Sequence, residues 1–264
     1  MQSGSQSDLV IELDHVGKRF GRAVVLEDVS LQVPRGETTV LLGPSGAGKT
    51  VTISHVVGLI QADRGTVSVE GRNLARIDND ELNALRRRMA VVLQGTLPFT
   101  CGLFFSLNVF ENVAFPLRQR RRWSEEEVRE TTLSYLGMVG LRDRAEAMPD
   151  ELSAGMCKRV AIARALALEP EILVIDDFDS GIDGVRLKLL CQMLTDYASD
   201  SGATLLVSTH SMTAARMIAD RIAVIHEGRV VSQGPAAEQL ESTEPLVHQL
   251  VTGSTTGPIT LRDV

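Results

Sequence analysis

Apolar residues in this chain fall into short runs that stop abruptly at polar or glycine-rich stretches, interleaved with longer segments of helical spacing. Leu9–Leu13 alternates apolar with acidic residues, and Val24–Val33 carries Val, Leu, Val and Leu before the turn Pro34-Arg35-Gly36. Alternation of period two predicts half-buried strands, here an antiparallel β layer. Thr39-Val40-Leu41-Leu42 is instead a continuous run, the pattern of a strand buried on both faces. It feeds Gly43-Pro44-Ser45-Gly46-Ala47-Gly48-Lys49-Thr50, after which Val51–Val57 reads as a helix. Past the turn Asp63-Arg64-Gly65, Thr66–Glu70 alternates again and stops at Gly71. Asp78–Arg88 has acids early and arginines late, the polarity a helix dipole favours, and Met89–Leu93 is a short buried strand ending at Gln94.

From Gly95 to Pro149 the character changes. Phe99, Leu103-Phe104-Phe105 and Phe110 gather most of the aromatic residues, as a small core or a partner-binding groove. Arg118 to Arg122 form a basic cluster, either solvated or facing anionic headgroups. Ser124-Glu125-Glu126-Glu127 is a capping box for a helix running to about Met138. The segment reads as an α-helical subdomain inserted into an α/β core. Beyond it, Glu171–Asp177 is an apolar strand ending in two acids, and Thr204–Val207 is another ending in Ser208-Thr209-His210. Ile222–Ile225 and Arg229–Ser232 form a hairpin around Glu227-Gly228. Strands alternating with helices predict a mostly parallel sheet with right-handed crossovers, and ligands on such sheets sit at the carboxyl ends of the strands. Leu42, Leu93, Ile175 and Val207 are such ends.

Composition narrows this picture without redirecting it. The chain has 264 residues, enough for one α/β domain with an added subdomain. No window approaches the length of a membrane-spanning helix, and the polar N-terminus carries no basic flank, so neither a transmembrane helix nor a signal peptide is expected. Cys101, Cys157 and Cys191 lack paired spacing, which excludes a zinc or disulfide framework and fits a reducing cytosol. A net charge of −7 and a pI of about 5.3 argue against a nucleic-acid partner.

The glycine loop carries the first chemistry. Its glycines let successive N–H groups face a phosphate, the helix start adds partial positive charge, Lys49 supplies a full one, and the Thr50 hydroxyl can ligate Mg²⁺. Such a loop fits kinases, GTPases, helicases and transport motors alike. Gln94, Leu152-Ser153-Ala154-Gly155-Met156, Ile172-Leu173-Val174-Ile175-Asp176-Asp177, Ser180-Gly181-Ile182-Asp183 and His210 then follow in one order. With them the chain resembles the ATP-binding subunit of an ABC transporter over nearly all of residues 8–240.

The resemblance implies a P-loop NTPase core built from a mostly parallel sheet plus an antiparallel β layer, with an inserted α-helical subdomain. Its divisions would be 8–94 for the β layer and P-loop, 95–150 for the helical subdomain, 151–238 for the rest of the core, and 239–264 for a C-terminal extension. It implies ATP and Mg²⁺ as cofactors. Thr50, Gln94 and Asp176 would hold the metal, Phe20 would stack on adenine, and Lys49, Asp177 and His210 would serve hydrolysis. For Phe20 a place in the β-layer core stays open, and the other histidines, His55 included, are left structural. Ser153 and Gly155 would bind the γ-phosphate of ATP held by a second copy of the chain in a head-to-tail dimer, with Ser180–Asp183 crossing between the two ATP molecules and Asp183 counted among the nucleotide-binding residues. Membrane permease subunits would be further partners.

Three features depart from the family. The second acid is normally glutamate; Asp177 is one methylene shorter and is followed by Phe178 where proline is usual, which predicts slower hydrolysis. Ala154 replaces a glycine, tolerable only with negative φ. The segment Gly95–Cys101 is longer than usual.

Among such systems the resemblance is to the ATPases of the Mla and Mce systems, which move phospholipids, fatty acids or sterols across bacterial envelopes, and it implies a peripheral place on the cytoplasmic face of the inner membrane. It rests on Leu107–Leu117, Gly155–Arg159, Asp179–Asp183 and the tail Ser242–Gly253 with Thr256–Ile259. That kinship implies Mce-type lipid-shuttle partners and a tail that reaches the partner subunit. Two other readings stay open: a nucleotide-gated switch or scaffold with weak hydrolysis, and the ATPase of an importer for a non-lipid solute.

Overall fold

The computed structural model describes residues 8–93, 102–120 and 122–259. In chain order the elements are β1 (Leu9–Phe20), β2 (Ala23–Pro34), β3 (Thr38–Leu42), α1 (Lys49–Val56), β4 (Arg64–Val69), β5 (Arg72–Asn73), α2 (Asn79–Arg86) and β6 (Met89–Val92). There follow α3 (Val109–Gln119), α4 (Glu125–Met138), α5 (Ala154–Leu166), β7 (Ile172–Ile175), α6 (Gly184–Ser201) and β8 (Thr204–Thr209). The chain continues through α7 (Met212–Ile218), β9 (Arg221–His226), β10 (Arg229–Pro235), α8 (Ala236–Leu240) and α9 (Pro245–Thr252).

Among the described residues ten strands form one sheet, ordered β5-β4-β1-β2-β10-β9-β3-β8-β7-β6. The β9-β3-β8-β7-β6 half is parallel. The β5-β4-β1-β2 part is antiparallel. β10 joins the halves, antiparallel to β9 and bridging to β2 through Arg229 and Asp28. The expected layering is therefore present, with the two predicted sheets continuous at this joint.

Successive side chains of the parallel strands enter two different cores, as the pleat requires. Val40, Leu42, Leu173, Ile175, Leu205 and Val207 pack with the helical side formed by α3 to α7. Leu41, Ile172, Val174, Leu206, Ala223 and Ile225 pack on the other face with α1 and the antiparallel strands. Asp176 donates its N–H to the Val92 carbonyl at 2.8 Å, so β7's alternation continues one residue past its end. That parity turns Asp176 toward the α1 face; the left-handed backbone of Asp177 then breaks the alternation and sends Phe178 into the helical-side core.

Asn108 caps α3 by accepting from the Glu111 N–H. Ser124 and Glu127 form the predicted capping box on α4, worth about 1 kcal/mol. Two arginines of the basic cluster are committed within the fold, while Arg122 is exposed. Arg118 pairs with Glu111 and Glu125, and Arg120 donates to the carbonyls of Leu168 and Arg87, closing the ends of two helices. Arg121, like Gln94 and Gly95–Cys101, lies outside the described residues.

The aromatic run divides. Leu103 is buried and Phe110 partly so, whereas Phe104, Phe105 and Phe115 are exposed. Phe104 and Phe115 meet edge to face at 5.3 Å, with the Arg164 guanidinium 5.7 Å from the Phe104 ring. The C-terminal extension is ordered by its own chain through residue 259. Val247 and Val251, one helical turn apart, are buried in the chain's own core, Arg216 donates to the Val251 carbonyl, and the Gln249 amide bonds both backbone groups of Ile259. Through residue 259 the tail folds onto its own chain.

Phe178 is fully buried, and its N–H donates to the Ser208 carbonyl, a bond that proline could not make. Phe178→Ala should lower the free energy of unfolding by about 3–5 kcal/mol, measured by urea denaturation.

Candidate functional site

β3 is buried along its whole length and delivers the chain to Gly43 with no room for a side chain. A Cβ on Gly43 would lie 2.3 Å from the Ile225 carbonyl oxygen. Gly48 sits at φ +104, just before α1, where a Cβ would lie 2.6 Å from Leu26 Cδ2. One glycine is thus required by close packing and the other also by a left-handed backbone. Ala47 is buried in the core, while its N–H donates to the Pro44 carbonyl and its own carbonyl accepts from Gly228. The Lys49 ammonium lies back over the loop, donating to the Gly43 and Pro44 carbonyls, each at 2.8 Å. Burial pulls its pKa below the usual lysine value, partly offset by Asp177, Asp176 and Asp179.

Ser45, Gly46, Gly48, Lys49 and Thr50 line one wall of a cavity of about 350 Å³. Asp176, Asp177 and His210 line the wall opposite. Three carboxyl ends named by the sequence thus converge, those of β3, β7 and β8. Gln94, expected from a fourth, lies outside the described residues.

The acids are held by residues the sequence reading left without roles. The Ser208 hydroxyl donates to Asp176 Oδ1 at 2.5 Å and accepts the Asp177 N–H at 2.8 Å, so one side chain sets both acids. The next hydroxyl, on Thr209, donates to buried Asp179 at 2.6 Å. The signal was available: both belong to Ser208-Thr209-His210, and alternation along β8 sends one hydroxyl to each face. Asp177 adopts φ +51, and His210 Nδ1 stands 3.4 Å from its Oδ1. That spacing lets acid and imidazole share a water on the cavity side.

Asp176 is wholly buried, yet its Oδ2 has no hydrogen-bond partner among the described residues. An unmatched carboxylate oxygen in a buried setting is costly, and a hard divalent cation is the group that satisfies it. With the exposed Thr50 hydroxyl on the facing wall, these donors fit Mg²⁺.

Phe20 is 49% exposed at the end of β1, which removes the core alternative, and the Lys18 ammonium is 5.7 Å from its ring centroid. Ser153, Gly155 and Asp183 line a second cavity of about 250 Å³ with Arg159 and Arg186. Ser153 caps α5 by accepting from Met156. Asp183 caps α6 and also pairs with Arg186, whose backbone N–H and guanidinium lower its pKa. Ala154, opening α5, is not among the residues with positive φ, so its methyl is tolerated.

The ABC transporter family model matches residues 26–180. The Probable ribonucleotide transport ATP-binding protein mkl of Mycobacterium tuberculosis is 38% identical, the match covering 94% of this chain and 68% of that one. The Intermembrane phospholipid transport system ATP-binding protein MlaF of Escherichia coli is 33% identical, covering 96% and 92%. Among solved structures, a dimeric ATP-binding cassette in a post-hydrolysis state with ADP and Pi superposes with a TM-score of 0.77 at 32% identity, covering 86% and 98%.

Gly43→Ala should destabilise the chain by about 1–3 kcal/mol because the added carbon meets a fixed backbone carbonyl. Gly184→Ala, where a Cβ would meet nothing within 4 Å, should be neutral or stabilising by about 0.4–1 kcal/mol. Thermal unfolding of the two variants checks both.

Proposed function

The chain belongs to the ABC transporter family, whose members couple ATP hydrolysis to transport, and we propose that this one drives the movement of lipid through a membrane permease. The observation that carries the motor reading is the convergence of loop, acids and His210 on one cavity, with Ser153 and Gly155 lining another. In this reading Ser45 to Thr50 bind the phosphates of one ATP and Phe20 stacks on its adenine. Asp177 and His210 orient the attacking water. Ser153 and Gly155 contact ATP held by a second, head-to-tail copy, and Asp183 belongs to the segment crossing between the two nucleotides. Mg²⁺, held by Thr50, Gln94 and Asp176, supplies positive charge against the phosphate oxygens when bound. The exposed Phe104, Phe105 and Phe115 offer the permease an apolar contact.

No helix among the described residues is long and apolar enough to cross a membrane. Attachment to the cytoplasmic face of an inner membrane would therefore run through the permease. Lipid cargo is supported by the match along nearly the whole of a phospholipid-transport ATPase and by the resemblance of residues 107–117 and the tail to Mla and Mce members. The other relative's name speaks of ribonucleotides, so cargo is tested directly.

Lys49→Ala should abolish ATP turnover and lipid movement together in vesicles containing the permease. Lipid movement that survived without turnover would end the motor reading, and wild-type transport of ribonucleotide but not lipid would overturn the cargo. Near-zero wild-type turnover rescued by Asp177→Glu would favour a nucleotide-gated switch. Phe20→Ala should weaken ATP binding by about 1–3 kcal/mol, read by nucleotide titration, with folding unchanged.

A further inference from the structure

Lys158 is a lysine only 3% exposed, on α5 between buried Cys157 and Val160. An ammonium taken out of water is retained only where strong acceptors meet it. Its Nζ donates to the Asp177 carbonyl and to Ser180 Oγ, the latter at 2.8 Å. Ser180 Oγ also donates to the Asp177 carbonyl, at 3.3 Å.

These contacts fall on a residue in an unfavourable conformation. Asp177 is left-handed at φ +51, which costs a non-glycine residue on the order of 1–2 kcal/mol and persists only where the surroundings over-determine it. Its N–H is fixed by Ser208 Oγ and its carbonyl by Lys158 and Ser180. With both flanking peptide planes pinned, the direction of the Cα–Cβ bond is set, and it carries the carboxylate to His210. A short acid has little reach with which to correct a misplaced backbone.

The same lysine joins this acid to a distant element. Lys158 lies one turn beyond Ser153 and Gly155, and a Cβ on Gly155 would lie 2.4 Å from the Gly181 carbonyl oxygen. The start of α5 therefore packs backbone to backbone on the segment that follows Asp177.

We propose that Lys158 is a positioning residue for hydrolysis, locking the backbone of Asp177 and tying that acid to the helix that opens at Ser153. The inference rests on the hydrolytic reading above. Because Ser153 and Gly155 would meet the partner's ATP, Lys158 makes the acid of one site move with the half-site offered to the other.

The test compares steady-state ATPase of wild type with Lys158→Met, which keeps the length and loses the donors, in the assembled complex. The expected result is a kcat lower by about 10- to 100-fold, the loss expected of a misplacement near 1 Å, with KM for ATP within about threefold and cooperative unfolding retained. Lys158→Gln, keeping an uncharged NH₂ donor on a shorter chain, should fall between. Ser180→Ala should add little to Lys158→Met while lowering kcat by itself, since the two share one network. A folded Lys158→Met with wild-type kcat, or one that loses ATP binding rather than kcat, overturns the proposal. If that variant does not fold, wild-type kcat in both Lys158→Gln and Ser180→Ala overturns it. Failure of the hydrolytic reading is distinct, because the wild-type complex would then show no turnover that Lys49→Ala abolishes.

Discussion

The site depends on one constraint: the central parallel strands are buried on both faces, so polar chemistry has nowhere to stand except at their ends. β3 and β8 have no exposed residue along their length, and β7 has none before Asp176. Neighbouring side chains of each strand enter separate cores. When the apolar runs stop, that alternation is still in force. It turns Asp176 and Ser208 toward the α1 face and Thr209 the other way, until the left-handed Asp177 breaks it and sends Phe178 to the helical side. The cavity is the place where three strands run out of apolar residues together.

Crowding charges there has a cost that the fold distributes. Lys49 is half-withdrawn from water, and the acids Asp177, Asp176 and Asp179 offset the loss of hydration. Ser208 restrains two acids through one hydroxyl, and Thr209 restrains a third. One carboxylate oxygen of Asp176 is left without a partner among the described residues, and that is where a divalent cation would complete the site. The shortened acid is held by its backbone rather than by its reach, which is why a buried lysine from another element matters to it.

The inserted helices spend their surface unevenly. Arg118 and Arg120, which read as a basic patch, are consumed by pairing with Glu111 and Glu125 and by closing helix ends. Phe104 and Phe105, which read equally well as core, remain outside beside the exposed Phe115. In the tail, the apolar pair Val247 and Val251 completes the chain's own core. In each case composition described the segment, and neighbours far away in sequence decided its use.

What the sequence by itself determined was local. Apolar runs of different period separated the parallel strands from the antiparallel layer, Ser124 and Glu127 announced their helix, and the glycine loop, Asp176, Asp177 and His210 were legible because each ends a strand where ligands bind. Only the tertiary structure decided what crosses between segments. Ser208 reaching two acids and Thr209 reaching Asp179 each span about thirty residues, and Lys158 reaching Asp177 spans 19. The left-handed backbone of Asp177 and the exposure of Phe20 are likewise outcomes of packing. Periodicity tells a residue which face it occupies, but not which side chain of another element will stand there to meet it.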